Sequence, residues 1–90
     1  MMNNYQLPID GNWNTADIIA VSTLVDDVLM AYEEGIDCQK LLADYQAFCQ
    51  VMPAKSEQKT FDRDLAQQTG YSIYQTIKQA QQATRKQLRL

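Results

Sequence analysis

The side chains able to do chemistry in this chain are carboxylates, two thiols and short rows of cations, and their spacing limits each of them. There is no histidine. That removes the usual neutral-pH acid–base group, the Ser-His and Cys-His nucleophile pairs and the commonest metal ligand. Cys38 and Cys49 stand eleven positions apart in a segment with helical spacing. At about 1.5 Å rise per residue they are roughly 16 Å apart, too far for a bridge. They read as free thiols of a reducing compartment, buried on an apolar stripe, and two cysteines without histidine make no ordinary zinc site. Glycines at 11, 35 and 70 are too scattered for a phosphate loop. The remaining option is carboxylate chemistry. Asp26 with Glu33, and Asp27 with Glu34, recur at i and i+7 as two acidic rows. Seven residues span about 10 Å, too long for one ion on one helix, so Mg²⁺ there would need ligands from a second chain. A solvated helix face accounts for the rows more simply. The expectation is a non-enzymatic protein without cofactor, and a Mg²⁺-dependent enzyme is the weakest alternative.

Between the acidic rows lie Ile19, Thr23 and Met30, opposite the apolar stripe of the same helix. Two apolar side chains bounded by four carboxylates suit a basic, amphipathic partner helix, whether from another protein or a second copy. The plainer account is an ordinary surface, on which single apolar groups are common. A second row is basic: Lys78, Arg85 and Arg89 at i, i+7 and i+11, with Tyr74 beside them. On a helix these bases fall within about 40° of each other, a phosphate-tracking pattern with an aromatic stacker. Against nucleic acid stand the net charge of −3 and the local use of cations at a helix C-terminus. A protein partner or self-association therefore ranks first and nucleic acid second. Charge is also divided along the chain. Residues 1–45 hold eight acids and one base, whereas residues 46–90 hold three acids and seven bases. The acidic and basic stripes can answer each other within or between molecules. An exposed ion pair contributes only about 0–1 kcal/mol, so charge would orient an association that apolar contact drives.

The elements that position these groups follow from hydrophobic periodicity. Ninety residues, 46% of them hydrophobic, make one domain that buries roughly two-thirds of its unfolded surface. Residues 1–6 lack the basic and apolar runs of a signal peptide. The most apolar stretch, 18–32, contains Asp26 and Asp27 and is too short to span a bilayer, so a soluble cytoplasmic protein is expected. Pro8 and Asp10-Gly11 mark residues 1–14 as a short extended arm, anchored by Trp13. Asn14 with Asp17 caps a helix over 15–34, whose core stripe is Ile18, Val21, Leu24, Val25, Val28, Leu29 and Tyr32. Asp37 caps a second helix over 38–51, with Leu41, Leu42, Tyr45, Phe48 and Met52 inward and Pro53 just beyond. A third helix, 55–69, has only Phe61 and Leu65 as large anchors. Gly70-Tyr71-Ser72, like Gly35-Ile36-Asp37, reads as a left-handed helix stop, an apolar residue that packs back and the next cap. Ser72 with Gln75 forms a capping-box pattern for a fourth helix over 73–88, with Ile73, Ile77, Ala80, Thr84 and Leu88 facing the core. The fold class expected is all-α: a small four-helix bundle with a short extended N-terminal arm.

Several residues also recur as a set: Trp13, "AYEEGID" at 31–37, Tyr45 with Phe48, Pro53, Lys55, Glu57, Lys59, "GYS" at 70–72, Tyr74, Lys78 and Ala80. In their order and spacing, over nearly the whole length, the chain resembles the YktA-like uncharacterised protein family of low-GC Gram-positive bacteria. The resemblance implies a small all-helical fold and brings no activity, cofactor or catalytic residue. Ala54 stands where that pattern leads one to expect a small hydroxyl cap for the third helix.

Overall fold

A computed structural model of the chain describes residues 13–90. Four helices and one short ladder follow in order: α1 Thr15–Glu33, β1 Ile36–Asp37, α2 Cys38–Val51, α3 Lys55–Thr69, α4 Ile73–Gln82 and β2 Gln87–Leu88. The all-α bundle is as expected; the arm lies outside the described residues except for Trp13 and Asn14, and Trp13 packs half-buried against the core.

α1 starts in a full capping box, with the Asp17 amide donating to Asn14 Oδ1 (2.8 Å) and the Asn14 amide to Asp17 Oδ2 (3.2 Å). Two of the four orphan amides of a helix start are the ones such a box satisfies. Val21, Leu24, Val25, Val28 and Leu29 form its buried stripe, while Ile18 and Tyr32 are half-buried. α1 packs most extensively on α2, and α4 packs on both. Leu41 and Phe48 of α2 meet this stripe in the core, and the Phe48 ring lies 5.6 Å from that of Phe61 on α3. Ala54 caps α3 with no side-chain bond. Gln58 supports this entry instead, its Nε2 donating to Met52 O at 2.8 Å.

Gly70 closes α3 at φ +82°, left-handed backbone that glycine adopts without steric cost. The Tyr71 ring then stacks on Tyr32 of α1, with centroids 4.2 Å apart and planes 4° from parallel. Ser72 accepts from the Gln75 amide (3.3 Å), which is half of a capping box. The other contribution comes from Asp62, described below.

The fourth helix is shorter than its pattern. It ends at Gln82, Ala83 is extended (φ −69°, ψ 139°), and Thr84 is exposed rather than inward. Residues 87–88 pair antiparallel with 36–37, Ile36 opposite Leu88 and Asp37 opposite Gln87. Two further bonds extend the latch: Cys38 N–H to Lys86 O (2.8 Å) and Leu90 N–H to Ala31 O (2.7 Å). The reason for the difference is that Leu88 reaches the core by this route and is buried. The extended tail also satisfies the Cys38 amide, one of the donors that the first turn of α2 cannot pair internally.

Candidate functional site

α2, α3 and α4 enclose an open groove of about 880 Å³, within the size range of binding clefts. Its floor is Tyr45, Phe48, Ile73 and Ile77. α3 lines one wall with Lys55, Lys59 and Arg63, at i, i+4 and i+8, and α4 lines the other with Tyr74, Lys78 and Gln81. Among the described residues one acid, Asp62, stands with them. Its carboxylate is committed to the start of α4, accepting from Ser72 Oγ (3.0 Å), Ile73 N (2.6 Å) and Tyr74 N (3.1 Å). An anion at a helix N-terminus is stabilised there by unpaired amides and the helix dipole. Asp62 therefore does not serve the cations beside it. Among the described residues both ion pairs belong to Lys40, and Lys55, Lys59, Arg63 and Lys78 have none. Burial and side-chain hydrogen bonding with Cys49 push the Tyr45 phenol up to about 12, so it remains protonated at neutral pH. The groove is a cation-rimmed trough with an aromatic and aliphatic floor. It suits an anionic, amphipathic guest.

The outer face of α1 is largely where its pattern puts it. Ile19 is 58% exposed and Met30 40%; Asp26, Glu33 and Glu34 are exposed, and Thr23 is half-buried. Asp27 is the correction. It is only 4% exposed and turns toward α2, where Lys40 Nζ lies 3.1 Å from its Oδ1 and 2.7 Å from Asp44 Oδ2. The second acidic row therefore loses its first member. Asp27 Oδ2 is buried without a hydrogen-bond partner. Burial first, then the nearby Asp44 carboxylate, raise the Asp27 pKa to about 7 against the opposing pull of Lys40. Asp44 is lowered by its hydrogen bonding with Asp27 and Lys40.

The basic stripe is the second correction. Lys78 and Tyr74, 63% exposed, share the groove, but Arg85 and Arg89 lie beyond the end of α4 on the extended tail. No helical face carries the three bases together. The signal for the actual cation row was available in Lys55, Lys59 and Arg63, four residues apart on a helix of correctly read bounds. Their convergence with Lys78 requires the turn at Gly70 and the Asp62 bonds that set the start of α4 beside α3. Cys38 is buried, its thiol donating to Arg85 O at 3.6 Å, and Cys49 is half-buried; both are free thiols. Among the described residues no three His, Cys, Asp or Glu side chains cluster to hold a metal ion, and no helix is long and apolar enough to cross a membrane.

Fold and groove together define a small all-α protein with an open, cation-rimmed groove between α2, α3 and α4. Residues 4–89 match the UPF0223 uncharacterised protein family, and the chain belongs to it. A UPF0223 protein of Lactiplantibacillus plantarum is 45% identical over 83 residues, spanning 92% of this chain and 86% of the relative. Those of Streptococcus sanguinis and Streptococcus agalactiae are 36% and 41% identical over 80 residues, each spanning 89% of this chain and 87% and 86% of the relatives. These are low-GC Gram-positive bacteria, as the sequence resemblance implied.

Proposed function

We propose that this protein is a non-catalytic, cytoplasmic protein-interaction module whose α3–α4 groove receives an acidic, amphipathic segment. The observation that carries the reading is the set of four cations that have no ion pair among the described residues, gathered around one groove floor. Scattered lysines are normal on any surface; here they converge from two helices onto a single concavity that also offers the exposed Tyr74 ring and the half-buried Tyr45. Aromatic and aliphatic anchors inside a charged rim are the usual anatomy of a protein contact. A nucleic-acid guest fits less well, because the molecule carries net charge −3 and Arg85 and Arg89 stand apart from the groove.

The test is affinity capture from native cytoplasm with wild type, a Lys59→Glu/Arg63→Glu variant and an Arg85→Glu/Arg89→Glu variant, read by mass spectrometry. Loss of bound protein in the groove variant alone supports the assignment. Capture indifferent to the groove overturns it. Binding that nuclease removes, with single strands shifting at low salt, assigns the groove to nucleic acid instead.

A further inference from the structure

We infer that the guest of the groove is the outer face of α1 from a second copy of this chain, in a head-to-tail contact; the inference rests on the groove reading above. Charge complementarity carries it. α1 presents Ile19 and Met30, both exposed, along one line with Asp26 and Glu33. At about 1.5 Å per residue this face, from Ile19 to Glu33, is about 21 Å long, and the wall provided by α3 is about 22 Å. Asp26 and Glu33 are then about 10 Å apart, against about 12 Å between Lys55 and Arg63 on the facing wall. Acids and cations thus match in sign and spacing, and each set flanks apolar side chains. Ile19 and Met30 would pack on the exposed Tyr74 ring and the half-buried Tyr45, over the buried Ile73 and Ile77.

The contact has to be intermolecular. No residue of α1 lines the groove, and the exposed face of α1 points away from the core that α2 and α4 share with it. A face on one copy and a groove on the next make a heterologous interface, which closes into a ring or grows as an open chain. A single helix face against one trough is small for a protein interface, so the association is weak, concentration-dependent and sensitive to salt.

The experiment is sedimentation velocity on the full chain across concentration, at low and high salt. Two variants carry the test. Lys59→Gln/Arg63→Gln disables the groove and Ile19→Gln/Met30→Gln disables the face; all four positions are exposed, and circular dichroism checks that the helices remain. The expected result is a mass average that rises with concentration in wild type, falls with added salt, and stays at the monomer for either variant alone. Mixing the two variants should restore one contact and give a heterodimer that does not grow, because its remaining groove and face are both disabled. A wild type that is monomeric at every concentration overturns the inference. So does self-association that survives both variants. If wild type stays monomeric while groove-dependent capture of a different protein persists, the second copy is ruled out and the groove reading stands. If capture ignores the groove as well, both fall.

Discussion

Asp27 shows how a single residue can be read correctly as acidic and still be assigned to the wrong side. Its i+7 relation to Glu34 is real, but it also stands among Leu24, Val28 and Ala31, all buried. It points inward because Lys40, the one base in the first half of the chain, meets it from α2. That pairing links residues 13 apart on different helices, and no local pattern displays it. Its titration follows from its burial. With a folded pKa of about 7 against an ordinary value of 3.8, Asp27 binds its proton more tightly folded than unfolded. Its contribution to stability is fully present below about pH 4 and is lost as pH rises through 7. Asp44, shifted the other way, acts below its ordinary value and leaves this window to Asp27. Thermal melts of wild type should therefore fall between pH 5 and pH 8. Asp27→Asn should flatten that slope and melt higher than wild type at pH 8, since it removes the buried charge. A wild-type melting point that rises over the window, or an Asn variant that keeps the slope, would contradict this account.

At the scale of elements, three helices and both glycine corners are legible because each is written in adjacent residues: a period and a stop in all three helices, and a side-chain cap in the first two. The end of the fourth is not. Leu88 satisfies a helical stripe through Ile77 and Ala80 as well as it satisfies a short strand, and the choice is made by Ile36–Asp37, half a chain away. The cap of α4 is partly hidden for the same reason, since Asp62 belongs to the preceding helix. Two stability predictions separate these devices. Asp62→Ala removes the acceptor for three donors and should cost about 1–2 kcal/mol, whereas Ser72→Ala should cost less. Leu88→Ala truncates a buried anchor of the tail and should cost about 2–3 kcal/mol. Urea unfolding of the three alanine variants reads the order directly.

The separation of charge between halves is legible at the scale of the molecule, but the groove is not, because its concavity exists only once α2, α3 and α4 are packed. The proposed guest and the fold would make opposite demands on its cations, and this gives a prediction of sign. Lys55, Lys59 and Arg63 follow one another at i+4 without an ion pair among the described residues. Like charges at that spacing destabilise a helix by about 0.2–0.5 kcal/mol per pair. If these cations served the fold, their removal would lower stability. If they are held for a guest, Lys59→Gln, which relieves two such pairs, should raise stability by a few tenths to about 1 kcal/mol at low salt. The gain should shrink as salt screens the repulsion in wild type. Parallel urea titrations at two ionic strengths measure it. A loss of stability at low salt would mean that Lys59 supports the bundle and is not held in reserve for a partner.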